Sequence, residues 1–164
     1  TLIEVMARFF PHLTTEAELR AVGNEKEALY RDTYGHLLAP LPGLHLFMEQ
    51  LKAKNIPLGL ATMGDQNNLD MTLKQLKIEA YFHSTTGGDQ VTQGKPHPEI
   101  FLRAAEKIGL DPNDCLAFED TQSGITAAQA AGMKVVGIST QFSQEKLLEL
   151  GCVVAIDNYK NILL

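Results

Sequence analysis

The chain has 164 residues, with 14 Lys/Arg against 20 Asp/Glu, a formal net charge of −6 and 45% hydrophobic content. That is the balance of one globular domain, or one domain with a small appendage. The acidic balance without any Lys/Arg run argues against nucleic-acid binding. No apolar stretch approaches the roughly 20 residues of a membrane span, and no signal-peptide pattern opens the chain, so no membrane partner is expected. Cys115 and Cys152 lie in apolar runs. They read as buried free thiols in a reducing, cytoplasmic setting.

The N-terminal part reads as helix. Thr15-Glu16-Ala17-Glu18 fits a capping box, and the helix it opens runs to about His36 with an interruption at Gly23-Asn24. Pro40, Pro42 and Gly43 then break the chain. They divide a partial helical cap, residues 1–39, from an α/β core domain, residues 40–164. Within the core, 44–54 is an amphipathic helix and 57–62 an apolar strand. Residues 68–76 are helix and 80–84 a second strand. Residues 99–108 are helix, 115–118 the third strand, and 124–131 a helix closed by Gly132. Residues 133–138 are strand, 145–150 helix and 152–156 a last strand. Strands with continuous apolar runs, alternating with helices, predict a parallel sheet covered on both faces. Ligands of such sheets sit beyond the carboxyl ends of the strands. Thr62, Glu119 and Asp120 fall there.

Each of these residues has two readings. Glu119-Asp120 suits a hard divalent cation such as Mg²⁺, which takes one or two carboxylates and keeps several waters. Asp120 also suits the N-cap of the following helix. Lys95, between Gly94 and Pro96, has a stiff backbone origin that suits an ammonium fixed on a phosphoryl group. It also suits a solvated surface. Thr62, with Met63 and Gly64 in the turn after it, suits phosphate binding at a helix N-terminus or an ordinary strand end. Lys26 and Arg31, on the N-terminal helix, suit an anionic substrate or a solvated face.

Taken in order, Leu60-Ala61-Thr62, Gly94-Lys95-Pro96-x-Pro and Phe118-Glu119-Asp120-Thr121-Gln122-Ser123-Gly124 resemble the motifs of the haloacid dehalogenase-like hydrolase superfamily. The likeness is to its β-phosphoglucomutase-like and phosphosugar-phosphatase branch and covers almost the whole chain. It implies a Rossmannoid α/β fold with a helical cap. Residues 26–31 look like the cap helix whose lysine meets the substrate phosphate in the mutases. The resemblance also implies a cis peptide bond between Lys95 and Pro96. Thr62 and Lys95 would hold the phosphoryl oxygens, and Glu119 and Asp120 would hold Mg²⁺. The substrate would be a small sugar phosphate. The turn 63–67 lacks the hydroxyl-rich character common in mutases.

The family's first motif, Asp-x-Asp-Gly-Thr, does not occur in this sequence. In the family it supplies the nucleophile, its acid/base partner and one metal ligand, on a strand central to the sheet. The expectation is therefore an N-terminally incomplete chain with little phosphatase activity of its own, or a non-catalytic module that binds phosphate or a partner. Two inner strand edges should be unpaired and open to pairing between chains, where a complete form would be a monomer.

Overall fold

A computed structural model describes residues 2–160 and 162. Two helices open it, α1 (Leu2–Phe9) and α2 (Glu16–Tyr34). The capping box forms as the sequence predicts: Thr15 Oγ1 accepts the Glu18 amide at 3.3 Å, and Glu18 Oε2 accepts the Thr15 amide at 3.1 Å. The interruption at Gly23 does not occur, since α2 runs through it. A Cβ at Gly23 would overlap the Leu2 side chain. The glycine is there to let α1 approach α2, which is why its helix-breaking tendency does not prevail.

The core follows as α3 (Leu44–Ala53), β1 (Gly59–Ala61), α4 (Gln66–Leu76), β2 (Ser84–Thr86), α5 (Glu99–Lys107) and β3 (Leu116–Glu119). It ends with α6 (Gln122–Ala130), β4 (Lys134–Ile138), α7 (Gln144–Glu149) and β5 (Val154–Ile156). The second strand lies further along than the pattern predicts. Residues Glu79–Tyr81 form a 3-10 turn instead, and Tyr81 and Phe82 pack toward Met48, Leu69 and Leu73. The apolar signal there marks core contact and not extended backbone.

All pairing is parallel, as expected, but the strands form two sheets, β1–β2 and β3–β4–β5. Among the described residues β1 and β3 pair on one side only. Shared helices bridge the two sheets. On α3, Met48 packs with Leu60 of β1, while Phe47 meets Phe118 of β3, ring centroids 5.5 Å apart. On α5, Ile100 and Phe101 belong to the main core with Ala117 of β3, Ile125 of α6 and Val135 of β4, and Ala61 of β1 packs against that core. Ile125 is 1% exposed, and burying such a side chain stabilises the fold by about 1.5–3 kcal/mol.

Both cysteines are free thiols, Cys152 buried as expected and Cys115 only half-buried, and burial, the larger cause, holds both above the usual thiol range. No helix among the described residues is long and apolar enough to cross a membrane.

Candidate active site

Lys95 and β3 form the first half of the site. The Lys95–Pro96 peptide bond is cis. The loop before it is tied to α5 by Glu99, whose carboxylate accepts the Gln93 amide at 2.9 Å, and the Thr92 amide at 3.1 Å and hydroxyl at 2.8 Å. Those bonds, led by the Gln93 amide, draw the Glu99 carboxyl down to about 2. From this anchored loop the Lys95 ammonium reaches the ring of Phe101, 4.9 Å from its centroid, and pairs with Glu119 Oε1. The two side chains are 14% and 8% exposed.

Glu119 is held by neighbours within the chain. Its Oε1 takes Lys95, and its Oε2 accepts the Asp120 amide, the Thr121 amide and the Thr121 hydroxyl at 3.0–3.2 Å. Both oxygens are engaged. Asp120 does not cap the next helix, because Thr121 does, accepting the Gly124 amide at 3.1 Å. Asp120 Oδ2 instead accepts Thr140 Oγ1 at 2.6 Å and Gln141 Nε2 at 3.4 Å. Thr140 lies just beyond β4, and no local pattern marks it. Burial first, and the Asp120 charge second, push the nearby Tyr159 hydroxyl up to about 12.

The second half lies at the carboxyl end of β1. Thr62 Oγ1 accepts the Gly64 amide at 3.1 Å, so its own proton remains to be given. Asp65 caps α4, its Oδ1 accepting the Asn68 amide at 2.8 Å. A cavity of about 510 Å³ opens between this turn and α2, lined by Thr62, Gly64, Asn68 and Thr72 from the core and by Lys26, Glu27 and Tyr30 from α2. Its size is that of a small-molecule site. Arg31 does not line it. Its guanidinium donates to Asn68 Oδ1 at 2.9 Å and lies 3.6 Å from Asp65 Oδ2. Met63 is also outside the lining and packs against the Phe101 core. Lys95 lies over the Phe101 ring, and Ala61 and Met63, which flank Thr62, pack against the core cluster that contains Phe101, but the cavity lining includes neither Lys95 nor Asp120.

Among the described residues no three His, Cys, Asp or Glu side chains cluster to hold a metal. Asp120 fits a Mg²⁺ site that takes one protein carboxylate and fills the rest with water and substrate oxygens. Glu119, saturated by Lys95 and its own turn, fits less well.

The sequence profile of the haloacid dehalogenase-like hydrolases matches residues 1–138. The chain belongs to that family. It is 36% identical over 139 residues, 84% of its length, to a phosphorylated carbohydrates phosphatase of Thermotoga maritima, of which it covers 62%. It is 36% identical over 126 residues, 76% of its length, to the β-phosphoglucomutase of Bacillus subtilis, of which it covers 55%. The chain thus spans about three fifths of the length of these relatives. A crystal structure of a HAD hydrolase of family IA, variant 3, from Entamoeba histolytica superposes on the whole chain with a TM-score of 0.88 at 30% identity, with 75% of that protein covered.

Proposed function

We propose that this chain carries the phosphoryl- and cation-binding side of a magnesium-dependent sugar-phosphate phosphatase or phosphomutase. One observation carries the reading: a mostly buried Lys95–Glu119 pair stands beside Asp120, a carboxylate relieved of capping duty. A fixed ammonium next to a cation-ready carboxylate is the electrostatic complement of a transferring phosphoryl group. The relatives' names, a carbohydrate-phosphate phosphatase and a phosphoglucomutase, point to the same substrate class.

In this reading residues 1–39 act as a cap and 40–164 as the core. Thr62 donates its hydroxyl to a phosphoryl oxygen and Lys95 neutralises the charge that develops there. Lys26 meets the substrate from the cap, at the mouth of the cavity shared with Thr62. Arg31 acts by holding the turn at Asp65 and Asn68, and Met63 and Gly64 shape that turn. Asp120 holds Mg²⁺, which when bound shields phosphoryl charge, and Glu119 keeps Lys95 in place.

The covalent step needs an aspartate that is not in this sequence. Its carboxylate oxygen attacks phosphorus as the bond to the sugar oxygen breaks, and a second aspartate gives that oxygen a proton. Water then attacks the acyl phosphate, releasing phosphate and restoring the carboxylate. A strand paired between β1 and β3 is where such a group would reach Lys95. Without it the chain binds phosphate and does not turn over.

The test is phosphate release from a panel of hexose phosphates. The 164-residue chain should be inactive. The chain completed with a strand ending in Asp-x-Asp should be active and lose activity on Asp120→Ala. Robust turnover by the pure 164-residue chain would mean the nucleophile lies elsewhere.

A further inference from the structure

The cavity between α2 and the β1 turn contains a carboxylate, which a site for an anionic substrate does not need. Glu27 stands in its lining beside Lys26. Its side chain is 13% exposed, while that of Lys26 is 56% exposed. Glu27 Oε1 accepts the Lys26 ammonium at 2.5 Å, and Oε2 accepts Asn68 Nδ2 at 2.5 Å. Asn68 is itself gripped at its other end, where Oδ1 accepts Arg31 at 2.9 Å. Glu27 and Arg31 are one helical turn apart on α2, so a single face of the cap helix holds both ends of one core amide.

Three consequences follow. The amide is oriented by its two partners, so Glu27 faces a fixed donor and cannot easily turn away. Lys26 is the mobile partner, and its exposed head can leave Glu27 for an incoming anion. Glu27 then holds an unpaired lone pair toward the cavity. Burial pushes its carboxyl up, but while Lys26 and Asn68 are bound to it their hydrogen bonds outweigh burial and hold it below the usual range.

We infer that Glu27 is a specificity-determining residue that accepts hydrogen bonds from hydroxyls of the group carrying the phosphate and rejects substrates with a second phosphate at that end. A hydroxyl can donate to a carboxylate, and a charge-assisted bond of that kind is a strong one. A second phosphate brings only acceptors and like charge, which is the repulsive element that specificity needs. The preferred ligand is a polyhydroxylated monophosphate. This inference rests on the phosphoryl-binding reading of Thr62 and Lys95 and on its phosphatase form, since a mutase that moves phosphate between two positions of one sugar must hold the bisphosphate.

The experiment is calorimetric titration of the 164-residue chain and its Glu27 variants with inorganic phosphate, glucose 6-phosphate and glucose 1,6-bisphosphate. The unmodified chain should bind the monophosphate tighter than the bisphosphate by about tenfold, the scale of one charged hydrogen bond. Glu27→Gln should lower that preference to about threefold or less, chiefly by tightening the bisphosphate relative to inorganic phosphate. Glu27→Asp, which keeps the charge but shortens the reach, should weaken the monophosphate and still reject the bisphosphate. Should Glu27→Gln fail to fold, the Asp variant carries the test: a retained monophosphate affinity or a lost bisphosphate rejection overturns the proposal. If inorganic phosphate binds and Glu27→Gln leaves the preference intact, the role of Glu27 is wrong while the phosphoryl site stands. If inorganic phosphate does not bind the unmodified chain, the phosphoryl site itself fails and this inference with it.

Discussion

The Lys95 ammonium and the Glu119 carboxylate, 24 residues apart in sequence, are held together in a setting where both are largely shielded from water. Removing one partner leaves the other as an uncompensated buried charge. Glu119→Ala should therefore destabilise the chain by about 3–5 kcal/mol in denaturant unfolding. The double variant Lys95→Met with Glu119→Gln should recover most of that, since it removes both charges and keeps an acceptor for Thr121. A single variant no less stable than the double would show that the pair is not a buried one in solution.

Gly124 touches the same carboxylate. A Cβ there would overlap the Glu119 carboxylate carbon and both its oxygens. That carboxylate is pinned by Lys95, Asp120 and Thr121, so it cannot yield without breaking a bond. Gly124→Ala should cost about 1–3 kcal/mol, despite the better helix propensity of alanine. In a Glu119→Ala background the same change should be neutral or stabilising. Equal effects in both backgrounds would separate Gly124 from the Lys95 site.

Glu99 makes a pH prediction. Its carboxyl is held at about 2 against an ordinary 4.5 by the Gln93 amide first, then the Thr92 hydroxyl and amide. A depressed carboxyl stabilises the fold fully above its unfolded value, and loses that contribution as pH falls toward its folded value. The loop 92–95 should therefore stay ordered above pH 4.5 and loosen between pH 4.5 and 2. Amide hydrogen exchange at Thr92 and Gln93, followed against pH, reads this. Glu99→Gln should show fast exchange at all pH values, with no step in that window.

Arg31 ties α2 to the start of α4 through Asn68 and Asp65, with side-chain exposures of 22% for Arg31 and 26% for Asp65. Arg31→Ala should loosen α2 locally, raising its amide exchange. Global stability should fall by only about 1 kcal/mol, the scale of a partly exposed charged contact. Unchanged exchange across α2 would mean the contact does not hold that helix.

What the sequence makes legible is what is local. The capping box at Thr15 and the strand-end positions of Thr62, Glu119 and Asp120 follow from spacing within a few residues, and the parallel pairing from the alternation of strands and helices. The pairing of Lys95 with Glu119 is not legible, because nothing in either motif says which cation meets which carboxylate. Glu27 and Asn68 are 41 residues apart. Nothing in the stretch 26–31 points to Asn68, and only the packing of α2 against α4 brings the two together. Thr121 and Asp120 both suit one cap position in the sequence; Thr121 takes it, and Asp120 accepts Thr140 from beyond β4. Gly23 reads as a break because its partner, Leu2, lies in another helix.

In the function proposed above, Thr62 and Lys95 bind a phosphoryl group while Asp120 recruits the cation. Titrating the 164-residue chain with inorganic phosphate, with and without Mg²⁺, tests it directly. Phosphate should bind, and Mg²⁺ should tighten it. Thr62→Ala and the stable Lys95→Met, Glu119→Gln double variant should each weaken phosphate by roughly tenfold, as expected for losing one charge-assisted bond. Asp120→Ala should abolish the Mg²⁺ enhancement and leave the magnesium-free affinity in place. Phosphate affinity and Mg²⁺ enhancement unchanged across all three variants would contradict the account.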